Sequence, residues 1–504
     1  MTSQYPSKHG ATLMTPPGVA GIRSGSPTLA ELFRDSGYYT GAFVNNSVAG
    51  AFLTKQGFND YDEGQKRQPA SSEDFKAPAT NRRVFQWLHE HSANPFFLFL
   101  LYFEPHSPYD PPPEDDLFKS GKYTHESNTG YDLNKGKLFR LANLHDNDAI
   151  SRLTQLYDGK IHFIDRYIGE LFAHLQERGL AGNTIVWIVS DHGELLYSHS
   201  DDYMTFDHRS LYDQVMHIPS IVIGPGIPKG KTLDALATHI DIAPTILALT
   251  GLPAKRDAQG ENLVPLMLGK TDRVHDFVFG EQDVHERLRS VRDDRFKLIW
   301  NKGTEQKQLF DIRHDPEEHH DVTSQYPEVV ARFTGQLNDW QRHNEPPDPV
   351  LQARWREIAE KATPAQLVVD EVTIGARFQL IGSGWKMADD PSDYAGGLYW
   401  ADAVASTQPR RAAIWRSDNP LIGKYKIAIW YGSIRGVRPS TKAQLTVETR
   451  AGKSHLVVNQ SEHAGQWNDL GTFMDPILVR LDADENGPVL ADAVRFERLA
   501  ESAR

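Results

Sequence analysis

Cysteine is absent from all 504 residues, which excludes disulfides, thiolate metal sites and a cysteine nucleophile within them. That absence is equally compatible with a reducing or an oxidising compartment. Positive charge is in short supply: 54 Lys and Arg face 67 Asp and Glu, for a net charge of −13. Such a balance argues against a general polyanion binder, nucleic acid included, and leaves room only for a local cationic pocket. Long apolar runs are also missing. The longest, Phe96–Phe103, falls far short of a membrane span. Met1-Thr2-Ser3-Gln4-Tyr5-Pro6 has neither the basic stretch nor the apolar core of a signal peptide. No internal repeat or low-complexity tract occurs. What is present is an ordinary apolar fraction of 39% in a chain long enough for two or three domains.

Up to about residue 345, apolar runs alternate with helical periodicity. Ser26–Phe33 reads as a helix with Ser26 as its cap, Pro27 in its first turn and Gly37 at its end. Thr40–Val44 is a short strand candidate. Phe96–Phe103 is apolar on both faces, as a strand buried in a parallel sheet would be. Ile161, Ile164, Ile168, Leu171 and Leu175 recur at helical spacing, and Gly179 closes that helix. Thr184–Val189 is a further apolar strand. This order makes a doubly wound, mostly parallel α/β sheet the leading architecture. Beyond Glu345-Pro346-Pro347-Asp348-Pro349 the pattern changes: a short amphipathic helix around Ala353–Ala362 precedes short alternating segments. Tyr425–Trp430, Gln444–Glu448, His455–Val458, Ile477–Leu481 and Ala493–Phe496 suit an antiparallel β-sandwich. The domain boundaries implied are 1–345, a linker with a short helix at 346–366, and an all-β sandwich at 367–504.

Three segments could carry chemistry. Ser190-Asp191-His192-Gly193-Glu194 places two metal-capable side chains where a buried strand ends, and ligands bind outside the carboxyl ends of such strands. A carboxylate favours a hard divalent cation and an imidazole a softer one, so spacing leaves the metal open. A helix-capping Asp followed by an exposed His reads the same residues equally well. Glu104-Pro105-His106-Ser107-Pro108-Tyr109 follows the other buried strand, so His106 would reach the same edge. Prolines on either side would stiffen it to contact an anion or protonate a leaving oxygen. Taken alone, a proline-rich surface turn is the commoner explanation. His208-Arg209 could bind an oxyanion, or be two solvated side chains before a helix.

Together these segments resemble the sulfatase family of the alkaline-phosphatase superfamily. Thr184–Glu194, Pro95–Pro113, His208–Pro219 and His239-Ile240-Asp241-Ile242-Ala243-Pro244-Thr245 are similar to its conserved segments in the family's order, followed by Val291–Ile299 and Leu309–Glu318. The resemblance implies that Asp191 and His192 are two ligands of one divalent metal, calcium in most sulfatases. It puts His106 beside the sulfate and leaving oxygen, and His208 where many members hold a basic residue against the sulfate. Asn45 stands where many carry a sulfate-binding Lys. The family attacks sulfur with a formylglycine made from Cys or Ser. Its Cys/Ser-x-Pro-Ser-Arg motif precedes a stretch that Ser3-Gln4-Tyr5-Pro6-Ser7-Lys8-His9-Gly10 already matches, so the nucleophile and the first Asp-Asp metal pair are expected to be missing. Ser3 does not substitute, because its proline lies one place too far on.

Val458-Asn459-Gln460, Gly465–Phe473 and Val489–Phe496 are similar to the golvesin/xanthan-lyase carbohydrate-binding-like module, in which Trp467 and Phe473 could stack on sugars or fill the core. The expectation is a sulfuric ester hydrolase for a sulfated small molecule or polysaccharide, inactive in this chain for want of a nucleophile. The full-length form would be periplasmic or secreted. The alternatives are a phosphodiester or phosphonate monoester hydrolase of the same superfamily, and a non-catalytic carbohydrate-binding relative.

Overall fold

The computed structural model describes residues 1–9, 27–45, 55–63, 76–126, 138, 141–142, 146–197, 208, 210–282, 287–344, 366–369, 376–381, 385–388, 398–403, 411–417, 421, 423–434, 437–483 and 486–499. The chain divides into two units. One holds Met1–His106, Lys160–Leu195 and His208–Asp348; the other holds Ser107–Gly159, Leu196–Asp207 and Pro349–Arg504. Among the described residues no helix is long and apolar enough to cross a membrane.

In the first unit, helix α1 (Leu29–Asp35) leads into β1 (Tyr39–Val44). Its cap is Thr28 rather than Ser26, which lies outside the described residues. Thr28 accepts from the Glu31 N–H while the Glu31 carboxylate accepts from the Thr28 N–H, a reciprocal capping box. Strands β2 (Asp60–Asp62) and β3 (Phe96–Leu101) flank β1, both parallel to it, in the order β2-β1-β3. Helix α2 (Ala77–His91) packs on this sheet through Trp87. A Cβ at Gly41 would stand 2.6 Å from that indole, so glycine in β1 leaves the ring its place. Trp87 Nε1 also donates to Asp60 Oδ2 at 2.8 Å. The helix expected from periodicity is longer than its apolar stripe, running as α3 over Asn147–Glu177, and Gly179 follows it at φ 68°. Ile161, counted in that stripe, is exposed.

Helices cover both faces of the parallel sheet. Phe96, Leu98 and Leu100 pack with Val84, Trp87, Leu88, Leu171 and Leu175, whereas Phe97 packs with Leu29, Phe33, Ala243 and Leu247. Period-two alternation along β3 thus serves two layers, which is the doubly wound arrangement. Yet β3 is only half-buried along its length, against the fully buried strand expected. It is the last strand of its sheet among the described residues. Among the described residues, strand β4 (Val186–Val189) pairs only with β5 (Ser220–Ile223), antiparallel to it. Its neighbour leaves Ile221 and Ile223 exposed by 52% and 46%.

Exposed apolar strands of this kind template association. The purified chain should therefore self-associate, and Ile221→Lys with Ile223→Lys should raise the monomer fraction on size exclusion. A monodisperse parent chain would contradict this.

The unit continues with a short helical turn, α4 (Asp213–Met216), and with α5 (Ile242–Leu249). An antiparallel sheet follows, of β6 (Val278–Gln282), β7 (Leu288–Arg292), β8 (Phe296–Asn301) and β9 (Lys307–Asp311), covered by α6 (Pro327–Asn344). Val291, Leu298, Leu309, Phe333 and Leu337 form its core.

The second unit carries the expected all-β region. Strands β10 (Gln366–Val369), β21 (Ala493–Arg498), β15 (Lys424–Tyr431) and β18 (Gln466–Met474) form one antiparallel sheet. Strands β11 (Ala376–Ile381), β14 (Arg411–Ser417), β19 (Pro476–Ala483), β16 (Ala443–Thr449) and β17 (Gly452–Val458) form another. A smaller one joins β12 (Trp385–Ala388), β13 (Leu398–Ala401) and β20 (Val489–Ala491). Tyr425, Ile427, Ile429, Val494 and Phe496 share one core with Trp415, Leu445, Val447, Val479 and Leu481. The two aromatics left open by sequence separate here. Phe473 packs against that core, while Trp467 meets Trp430 edge-on at 5.5 Å with the Arg495 guanidinium 4.7 Å from its ring centre. The helix expected at Ala353–Ala362 lies outside the described residues, as does the linker containing it except for Gln366, which opens β10.

Candidate active site

Two strand ends build the site. After β3 the chain turns at Glu104, a buried carboxylate that accepts from the Ala77 N–H at 3.3 Å. Burial pushes its carboxyl above the ordinary range, against the pull of Lys160. His106 follows, its ring 4.4 Å from Phe103 and its N–H on the Phe103 carbonyl at 3.0 Å.

After β4 comes the loop Ser190–Glu194. Asp191 Oδ1 accepts from the His192 N–H at 3.0 Å, and the Asp191 side chain is 70% exposed. His192 Nδ1 lies 2.8 Å from the Gly193 carbonyl. A carbonyl only accepts, so Nδ1 is the donor in this contact. That Nε2 stands 3.7 Å from Asp191 Oδ2.

The structure brings three of the four anticipated residues together as rings. His192 stacks on His208 at 4.1 Å and 23°, and His106 lies 6.4 Å from His208. Asp191 borders His192. Arg209, paired with His208 in the sequence reading, lies outside the described residues. Asn45, at the end of β1, is buried and bonded to Thr80 and to Arg83, whose Nη2 is 2.9 Å from its Oδ1. Ser3 is spent on structure: its hydroxyl donates to the Ile240 carbonyl at 2.5 Å.

Several supporting residues lie in the segments already quoted, although the sequence gave them no role of their own. Glu194 Oε1 lies 3.8 Å from His208 Nδ1. His239 Nε2 reaches the Ser190 carbonyl at 2.8 Å and so holds the loop from outside. Gly193 donates its N–H to the Val215 carbonyl at 2.8 Å, so the loop rests on α4. Beneath His239, the fully buried Asp241 accepts from the Thr238 and Glu261 N–H groups and from His275 Nε2, which is 2.9 Å from Oδ2.

The hydrogen bond to Asp241 raises the His275 pKa above the ordinary histidine value. A folded-state value above the unfolded one means this stabilisation is complete below about pH 6.5 and is lost as pH rises through the folded value. Thermal melts should show that loss above pH 6.5, and His275→Gln should remove this part of the pH dependence. An unchanged profile in the variant would contradict it.

Asp191 and His192, with Oδ2 and Nε2 3.7 Å apart, could serve as two ligands of a divalent cation. Among the described residues, however, no group of three or more His, Asp or Glu could hold a metal ion. The pair suits two places of a metal shell and does not complete one.

The sequence matches the sulfatase family over residues 1–252, the N-sulphoglucosamine sulphohydrolase C-terminal family over 201–343, and the golvesin C-terminal domain over 367–498. It is similar to arylsulfatase K of Canis lupus familiaris, at 30% identity over 51% of this chain and 54% of that one. An arylsulfatase of Clostridium perfringens (strain 13 / Type A) matches at 28% over 45% and 49%. The chain thus spans about half the length of these relatives, and 35% of arylsulfatase K from Gallus gallus. In fold it is similar to BT4656, solved with its substrate D-glucosamine-2-N,6-O-disulfate, with TM-score 0.56 at 17% identity over 69% and 87% of the two chains. The phosphonate monoester hydrolase SpPMH from Silicibacter pomeroyi gives 0.53 at 19% over 68% and 84%. The parallel sheet with helices on both faces and the match over residues 1–252 agree: this chain belongs to the sulfatase family and carries a golvesin-type C-terminal domain.

Proposed function

We propose that the edge bearing His106, His192 and His208 is the substrate site of a sulfuric ester hydrolase for a sulfated carbohydrate. The observation that carries it is the ring series His106–His208–His192 at the carboxyl ends of two strands. Protonated imidazoles donate charge-assisted hydrogen bonds to sulfate oxygens. In this reading His208, with the Glu194 carboxylate beside it, contacts the sulfate, and His106 protonates the departing sugar oxygen. Asp191 and His192 are two ligands of a divalent cation, calcium by resemblance, which when bound would neutralise sulfate oxygens. The carbohydrate class is supported by the golvesin-type domain and by BT4656, whose substrate is a sulfated amino sugar.

These 504 residues contain no Cys/Ser-x-Pro-Ser-Arg segment. The chain should therefore bind a sulfate ester without turning it over, and bind calcium weakly. The test is calorimetric titration with a sulfated monosaccharide and its unsulfated parent, alongside an aryl sulfate turnover assay. Binding of the sulfated sugar alone, weakened in His106→Ala and His208→Ala, with no product formed, is expected. Binding indifferent to both variants would overturn the proposal, whereas turnover well above the His106→Ala control would overturn only the expectation that these residues do not turn the ester over. Preferential binding of a phosphonate monoester would favour the second reading, which the likeness to SpPMH keeps in view.

A further inference from the structure

We infer that Lys297, on the antiparallel sheet well along the chain from either histidine, is a positioning residue that sets His192 and His208 through helix α4; its bearing on catalysis rests on the reading of that edge as the sulfate-ester site. Lys297 has only 2% of its side chain exposed. Its Nζ lies 2.6 Å from Asp213 Oδ1 and 2.9 Å from Glu318 Oε1, and Glu318 is itself completely buried. Arg292 holds the other oxygen of Asp213, and the Asp213 N–H donates to the Glu318 carboxylate. Burial alone would raise the Asp213 carboxyl, but Lys297 and Arg292 hold it below the ordinary range.

Asp213 opens α4, a helix of a single turn. So short a helix does not hold itself in water, so its anchors decide where it stands. Both histidines depend on it. Downstream of Asp213, the Val215 carbonyl takes the Gly193 N–H, and the Gln214 carbonyl occupies the space of a Gly193 Cβ. The loop with His192 is therefore seated on this turn. Upstream, the Ser210 hydroxyl accepts from the Tyr212 N–H at 3.0 Å and ties the approach to α4 just after His208. A buried ammonium shared by two carboxylates has one low-energy geometry, because moving it strands a charge. The stacking of His192 on His208 is thereby fixed from the sheet that carries Lys297.

The test uses the whole chain with isotope-labelled histidine. In Lys297→Met the ring resonances of His192 and His208 should shift, while that of His455 on β17 stays in place. Asp213→Asn should shift the same pair, and the double variant should move them no further than the larger single change. Lys297→Arg should return both resonances toward their parent positions. Where Lys297→Met does not fold, Asp213→Asn carries the same reading. Unchanged His192 and His208 resonances in a folded variant, or additive shifts in the double variant, would overturn the inference. No ligand enters this experiment, so its outcome is separate from that of the hydrolase reading.

Discussion

Alanine at position 193 should abolish sulfate-ester binding while the rest of the chain still folds. An added Cβ would lie 2.0 Å from the Gln214 carbonyl oxygen and 3.1 Å from its carbon, both backbone atoms. A flexible side chain could swing away; a carbonyl in a helical turn cannot without breaking that turn. The loop or α4 must therefore part, and the Gly193 to Val215 hydrogen bond goes with them. Overpacking of this kind costs about 1–3 kcal/mol. The larger consequence is geometric, because His192 and Asp191 ride on the displaced loop and His208 stacks on His192. The expected result is a modest fall in the melting temperature with complete loss of the calorimetric signal for a sulfated sugar. Full binding in Gly193→Ala would show that the loop does not depend on its seat.

The second large effect lies in the C-terminal sheets. Gln460 is buried, and its amide makes both bonds of a missing strand: Nε2 donates to the Leu490 carbonyl at 2.7 Å and Oε1 accepts from the Leu490 N–H at 2.9 Å. Gln460→Ala leaves a buried donor and a buried acceptor unmet, at about 1–3 kcal/mol each. Denaturant unfolding of the variant should show a loss of about 2–6 kcal/mol, in a protein class whose whole stability is about 5–15. Because Val458-Asn459-Gln460 belongs to the golvesin-like segment, this result would make Gln460 a structural residue rather than a sugar ligand. An unchanged midpoint would mean that water or a neighbour replaces the amide.

Much of the site was legible because its residues sit at strand ends. Asp191 and His192 follow Val186–Val189 directly, and His106 follows Phe96–Leu101 within a few residues. Apolar runs that stop abruptly give such positions away. The strand order of the β-sandwich was legible only as a set of segments, since pairing across β16 and β19 or β15 and β21 leaves no local mark. Asp213, Lys297 and Glu318 each lie in a segment that resembles the family, but their pairing was illegible for the same reason. Lys297 and Asp213 are 84 positions apart, and Glu318 and Asp213 are 105 apart, so nothing local links them. The capping box at Thr28 and Glu31 was readable but lost to Ser26, the commoner signal before a proline. The half-burial of β3 could not be read at all. An all-apolar run states what a strand would bury, whereas its neighbours decide what it does bury.

The central claim is that His106, His192 and His208 form one sulfate-ester site. The most direct measurement is a titration of the isotope-labelled chain with a sulfated amino sugar, followed at every histidine ring. These three resonances should move together along a single binding curve, His275 and His455 should stay still, and the unsulfated sugar should move none. Independent curves for His106 and His192, or no movement at either, would contradict it.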